Sequence, residues 1–326
     1  MEDRIIRATG EVAELRFVLV DATQAANAIG GYHDARAFTR ILMGETIVSS
    51  LLLASGLKGN GTVQVKFQYS GDFSMATADA TPLGLVRAMI PFEDVKRIGD
   101  FEPLLSPLTM NVRKRNDKGT ALSEGIVEMP SEKIGPCTAY YLLQSEQTRS
   151  AVGIMARQNH AGQIPKEQNA KGQNAPGDSL DFCGGFLVEA LPKADAKTLA
   201  ILEQVVKDMP SIETYRSEGG GLDLEKMLAD LAGPFRYTVH REMKVLPFCP
   251  CSETGVLKAI SGMPREDLEE VVIKRETLEL HCEYCRKRYL ATPAMIRELL
   301  DGMDEDPETD ENEGEDEGKG PEDFPA

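Results

Sequence analysis

The 326-residue chain lacks the marks of the common enzyme classes. It contains no Walker loop, no GxGxxG dinucleotide fingerprint, no GxSxG elbow and no HExxH pair. Its four histidines, His33, His160, His240 and His281, are scattered. It has no basic excess either: 36 Lys plus Arg stand against 53 Asp plus Glu, a formal net charge of -17. Phosphate binding needs clustered Lys and Arg, so neither nucleic acid nor anionic lipid is an expected partner. Long hydrophobic runs are missing as well. The longest, Ile47 to Leu57, is interrupted by Ser49, Ser50 and Ser55 and reads as too short to span a bilayer. Charges in Met1 to Arg7 occupy the place where a signal peptide needs an apolar stretch. These absences predict a cytoplasmic, non-enzymatic protein with no membrane partner.

What is present is a globular composition, 41% hydrophobic and 27% charged, in a length that suits one large domain or two ordinary ones. The acidity is concentrated. Residues 304–326 hold twelve acids and one lysine, a net of -11, which leaves -6 for the rest. That tail has too few apolar residues to offset chain entropy and is expected to be disordered, with a solubilising role.

The hydropathy pattern predicts an α+β fold. Val63, Val65, Phe67 and Tyr69 alternate with polar residues, the period of a half-buried strand, and Leu108, Met110 and Val112 repeat it. Residues 150–157 and 182–191 suit a hairpin joined by a long polar loop over 158–181. Helices are expected over Asp34 to Leu57 and Pro136 to Gln147. After Leu191-Pro192 the pattern changes to two amphipathic stretches, Ala196 to Met209 and Leu222 to Leu231, split by Gly219-Gly220-Gly221. Short helices divided by a triple glycine suggest a connecting segment of limited independent stability. The expected organisation is a mixed α/β core over 1–195, a helical linker over 196–248, a small zinc-binding domain over 249–303 and the acidic tail.

Four of the six cysteines carry the chemistry. Cys249-Pro250-Cys251 and Cys282-Glu283-Tyr284-Cys285 form two close pairs separated by thirty residues. Two such pairs supply the four thiolates of a tetrahedral zinc site, and four sulfurs leave no position for water or substrate. One structural Zn²⁺ is therefore expected on Cys249, Cys251, Cys282 and Cys285. A Cys249 to Cys251 bridge is strained, because residues two apart reach the disulfide range only at its edge. Cys282 and Cys285 should therefore close first under oxidant. Arg286, Lys287 and Arg288 place positive charge beside the distal pair, which favours thiolate. His281 is a spare donor, more suited to a supporting or surface role. Cys137 and Cys183 lie in apolar surroundings and read as inert small hydrophobes. A segment of about fifty residues cannot build a self-sufficient core, so it should unfold when its ligands are oxidised.

With Phe248 before the first pair, His281 before the second and Tyr289-Leu290 after it, the chain resembles the redox-regulated thirty-three-kilodalton chaperonin family (HslO), a family of heat-shock holdases. Leu57-Lys58-Gly59 before the first strand and Gly184-Gly185-Phe186-Leu187 support the resemblance, which spans about residues 10 to 300. It implies a chaperone that is inactive when reduced and zinc-bound. Oxidation would pair Cys249 with Cys251 and Cys282 with Cys285, expel zinc, unfold the zinc domain and linker, and allow ATP-independent binding of unfolding client proteins. It further implies a homodimer when oxidised and transfer of clients to ATP-dependent foldases. The polar loop at 158–181, the acidic tail, Cys137 and Cys183 depart from that pattern. Two other readings stand beside it. One is a constitutive zinc-ribbon binding module, although residues 249–300 carry eight basic and nine acidic side chains and no basic stripe. The other is a thiol oxidoreductase working through Cys282 and Cys285, which a second cysteine pair nearby argues against.

Overall fold

Residues 15–21, Leu-Arg-Phe-Val-Leu-Val-Asp, are buried at every position but one, the signature of a strand covered on both faces. This strand lies at the centre of the first of two large sheets. The computed structural model describes residues 2–11, 14–98, 105–158 and 179–304. In chain order the elements begin β1 (Arg4–Gly10), β2 (Leu15–Asp21), α1 (Thr23–Tyr32), α2 (Ala37–Ala54), β3 (Thr62–Gly71), β4 (Met75–Ala80) and β5 (Leu85–Met89). There follow α3 (Phe92–Ile98), β6 (Leu105–Arg115), β7 (Ala121–Glu128), α4 (Ile134–Ser145), β8 (Ser150–Gln158), β9 (Leu180–Ala190), α5 (Ala196–Asp208) and α6 (Leu224–Ala232). The chain continues as β10 (Tyr237–Lys244), β11 (Leu246–Pro247), α7 (Glu253–Ile260), α8 (Arg265–Lys274), β12 (Leu278–His281), β13 (Arg288–Ala291) and α9 (Pro293–Asp304). The fold is mixed α and β, as the pattern predicts.

The chain divides into two compact units. The first is Met1–Cys249 with Glu283–Arg286; the second is Pro250–Cys282 with the chain from Lys287 onward.

In the first unit, one sheet runs β10-β1-β2-β9-β8 and the other β11-β5-β4-β3-β6-β7. The predicted strand is β3, with Val63, Val65 and Phe67 fully buried on its inner side. The predicted hairpin is the antiparallel β8 and β9 pair; most of the loop joining them, with His160, lies outside the described residues. So does the tail beyond residue 304. The main core gathers Val18, Val20, Ile47, Leu51, Val65, Phe67 and Met110 from both sheets and α2. Helix α2 extends further toward the N-terminus than the apolar run suggests, and over 18 residues it is long and apolar enough to cross a membrane. Its burial, 78% of the window, makes it the central core helix of the first unit.

The other face of the β1, β2 and β9 strands carries a second core: Ile6, Phe17, Leu19, Phe182 and Phe186 meet Leu202, Tyr215, Leu222, Met227, Leu228 and Leu231. The stretch expected as a helical linker therefore packs as a lid on this sheet. Asp195 caps α5 by accepting from Thr198 N at 2.7 Å, and Asp223 caps α6 by accepting from Lys226 N at 2.9 Å. Past Phe235 the stretch is not helical: residues 237–244 become β10, paired antiparallel with β1. Alternating residues did not announce that strand because Thr238, Val239, His240 and Arg241 are all exposed.

The triple glycine between the helices is a built turn. Gly221 donates its N–H to Asp181 O at 2.9 Å, and Leu222 donates to the Asp21 carboxylate at 2.9 Å. Asp21 is 1% exposed and also accepts from Thr23 N and Thr23 Oγ1. Burial pushes its pKa up against those hydrogen bonds.

The second unit has a small core of Ile260, Leu268, Ala291, Ile296 and Leu300. Its two-stranded sheet pairs β12 with β13, with His281 opposite Arg288.

Candidate metal centre

The strands deliver the cysteines. Strand β11 runs parallel to β5, with Leu246 N donating to Gly84 O at 3.0 Å and Phe248 N donating to Val86 O at 2.9 Å. This ladder sets Cys249 beside the next strand residue, Arg87. It depends on Gly84, at φ +85°, where a Cβ would stand 2.2 Å from Lys244 O. Two residues after Cys249 comes Cys251, and Ser252 then caps α7 by accepting from Gly255 N at 3.1 Å. The second pair sits in the turn between β12 and β13, which Cys282 N closes on Lys287 O at 3.0 Å. Arg286 takes a left-handed φ of +57° there.

The four sulfurs of Cys249, Cys251, Cys282 and Cys285 all lie within 4.8 Å of one another, each residue partly buried. Tetrahedral thiolates about 2.3 Å from a zinc ion stand about 3.8 Å apart, so the cluster has the size such an ion requires. The donor set suits a soft or borderline metal. The expected ligands are thus brought together. His281 is not among them: its ring lies 3.5 Å from Glu279, and its side chain is 47% exposed.

The basic run after Cys285 is engaged with acids and rings. Arg286 pairs with Glu283 at 3.3 Å, Arg288 pairs with Glu279 at 2.7 Å, and Lys287 lies over the Tyr289 ring at 5.2 Å. A more distant residue, Arg87, also reaches the cluster: its Nη1 stands 3.9 Å from Cys249 Sγ. Burial works against the charge of Arg87, but the neighbouring Asp79 carboxylate, 2.7 Å away, more than offsets it and holds the pKa above the usual arginine value. Arg87 also stacks on the Tyr284 ring, 3.9 Å from guanidinium carbon to centroid. On the other half, Tyr289 OH donates to Cys251 Sγ at 3.1 Å. None of Arg87, Asp79 and Tyr289 was picked out from the sequence as part of the site. The turn Thr81-Pro82-Leu83-Gly84 is the signal that could have found the first two, because it folds β4 onto β5 and sets Asp79 opposite Arg87.

The tip residues of the second pair are held by strand β5 and by α1's C-terminal neighbour. His33, 2% exposed, directs Nε2 at Tyr284 O (2.8 Å) and Ala88 O (3.2 Å), which requires a proton on that nitrogen. Burial lowers the pKa of His33, so the ring is neutral there. Arg286 Nη2 reaches Ile90 O at 3.5 Å.

Cys137 and Cys183 are fully buried, away from the cluster. Desolvation pushes the Cys137 thiol up to about 11 and that of Cys183 well above the usual thiol range. Burial and the raised pKa keep both in the thiol form, in the apolar surroundings the sequence suggests.

A mixed α/β body with a lid of helices, a small second unit and a cluster of four thiols define the class of protein. The family model described as Hsp33 protein matches residues 3–292. The 33 kDa chaperonins of Streptococcus pneumoniae strains CGSP14 and TIGR4 are each 27% identical over 303 residues, covering 91% of this chain and 98% of their own. The crystal structure of the 33 kDa chaperonin (heat shock protein 33 homolog) of Thermotoga maritima shares the fold at a TM-score of 0.72 and 17% identity, with 94% of this chain and all of that one covered. The chain belongs to the Hsp33 family, which is a family of chaperones and not of enzymes.

Proposed function

We propose that this chain is a redox-regulated, ATP-independent holdase of the cytoplasm, inactive while its four thiolates hold one zinc ion. The observation that carries this reading is the four-sulfur cluster, which spends every donor on the metal and leaves no position for a substrate. When bound, zinc would cross-link the two cysteine pairs and contribute roughly 10 to 16 kcal/mol of folding free energy. Among the described residues, the core of the unit it serves is a cluster of five buried apolar side chains, too few for independent stability.

Peroxide would convert each thiolate pair to a disulfide, Cys249 with Cys251 and Cys282 with Cys285. Each pair gives up two electrons, and with two protons the peroxide leaves as two waters. The sulfurs then no longer serve as thiolate ligands, and residues 249–303 unfold. The linker over 196–248 would follow and uncover the apolar face of Phe17, Leu19, Phe182 and Phe186 that α5 and α6 now bury. Unfolding client proteins would bind there, the oxidised chain would form a homodimer, and clients would pass to ATP-dependent foldases. The polar outer surface of the helices gives the lid a soluble closed state.

A peroxide titration of the reduced, zinc-loaded protein tests this reading. Zinc release in step with loss of four thiols is expected. Retention of zinc after those thiols are gone would overturn it, as would loss of thiolates with the double variant Cys282→Ser, Cys285→Ser binding zinc as tightly as the wild type.

A further inference from the structure

We propose that Arg87 is a positioning residue of the cysteine site, the point at which strand β5 holds both cysteine pairs. The inference rests on the zinc reading above and goes beyond the four ligands. Three observations on one side chain carry it. Its Nη1 lies 3.9 Å from Cys249 Sγ, which ties it to the first pair. Its guanidinium carbon lies over the ring of Tyr284, the residue immediately before Cys285, 3.9 Å from the centroid, which ties it to the second. Its Nε and Nη2 are both 2.7 Å from Asp79 Oδ2, which fixes the fork in place from the neighbouring strand.

The electrostatics agree with the geometry. Four thiolates around a divalent cation sum to a charge of -2, and a half-buried guanidinium beside one sulfur offsets part of it. The side chain of Arg87 is 29% exposed and that of Asp79 is 11% exposed, so solvent screens the pair only partly. Lysine cannot reproduce this role, because an ammonium lacks both the planar face for Tyr284 and the second arm for Asp79. The strand and the residue just past it supply further ties to the same tip: Ala88 O shares the His33 N–H with Tyr284 O, and Ile90 O accepts from Arg286. Arg87 alone reaches a sulfur among these, so it links the state of the cysteines to the six-stranded sheet.

The test is zinc affinity of the reduced full-length chain, measured by competition with a chromogenic chelator, for wild type, R87Q and R87K. Partners that orient metal ligands typically change affinity by about 10 to 100-fold when removed. R87Q is expected to weaken zinc at least about tenfold, and R87K to lie between it and the wild type, since charge returns without the fork. The far-UV circular dichroism of each variant checks folding. Should R87Q fail to fold, Tyr284→Leu replaces it, expected to weaken zinc in the same direction by removing the stacking surface. Wild-type affinity in a folded R87Q, or in Tyr284→Leu where that variant stands in, would overturn the role of Arg87 and leave the metal reading intact. A wild-type chain that takes up no zinc would overturn the metal reading itself.

Discussion

The lid of helices is held by a turn whose three consecutive glycines differ sharply in what surrounds them, and alanine at each makes a graded test. At Gly219 an added Cβ meets nothing within 4 Å, and the backbone is not left-handed. Gly219→Ala should be neutral or slightly stabilising, because it restricts only the unfolded chain. Gly220 has φ +83° and open space apart from Asp181 O at 3.4 Å, so alanine there carries the left-handed penalty of about 1 to 2 kcal/mol. Gly221 has φ +78°, and its Cβ would stand 2.4 Å from Asp21 Oδ2, the oxygen that accepts from Leu222 N. That carboxylate is buried and bonded to Thr23, so it cannot swing away without breaking the Leu222 bond. A hydrogen bond to a charged group is worth about 1.5 to 3 kcal/mol, and Gly221→Ala should therefore cost about 2.5 to 5 kcal/mol in total. At about 1.4 kcal/mol per factor of ten, the opening equilibrium of the lid rises by roughly two to three and a half orders of magnitude. Hydrogen exchange of residues 212–235 in the reduced, zinc-loaded protein reads this directly. The expected order of protection is Gly219→Ala above Gly220→Ala above Gly221→Ala, with zinc retained in all three. Equal protection in the first and last would refute the claim that Asp21 pins the lid.

Three further outcomes follow from the same geometry. Burial pushes Glu45 on α2 up to about 7, above its unfolded value near 4.5, so the folded state binds the extra proton between those values. Its stabilising contribution is therefore full below about pH 4.5 and is lost as the pH climbs through 7. Glu45→Gln should gain in melting temperature relative to the wild type as the pH rises from 5 to 8; a constant difference would contradict this. The slope will not vanish, because Asp3, also raised to about 7 mainly by burial, titrates with the same sign. Chelation of the reduced protein should remove exchange protection from α7, α8 and α9 while the β3 and β6 ladder stays protected; survival of the helices would show that the small core suffices alone. Under mild peroxide followed by thiol mapping, Cys249, Cys251, Cys282 and Cys285 should be modified while Cys137 and Cys183 remain thiols, and oxidation of Cys183 in the folded protein would count against its burial.

The parts of this architecture that could be read in the sequence are those with one wet face. Strand β3 declared itself because Gln64, Lys66 and Gln68 alternate with buried Val63, Val65 and Phe67, and the ends of α5 and α6 fall near where their apolar spacing places them. Strands β1 and β2 escaped because both faces are covered: Ile5 faces one core and Ile6 the other, Val18 one and Phe17 the other, so no alternation survives. Strand β10 escaped for the opposite reason, being mostly exposed at an edge. The cysteine cluster was legible because its spacing is chemical. Arg87 was not, since it is brought to Cys249 by the parallel pairing of β11 with β5, a contact across 162 residues that no local pattern records. Nor does the sequence record that Arg286 and Arg288 pair with Glu283 and Glu279.

The most direct test of the central claim is light scattering of a thermally unfolding test protein in the presence of this chain, either fully reduced with zinc or oxidised by peroxide under mild heating. The account predicts suppression of aggregation by the oxidised form alone. Equal suppression by both forms, or by neither, would contradict it and reduce the four cysteines to a structural staple.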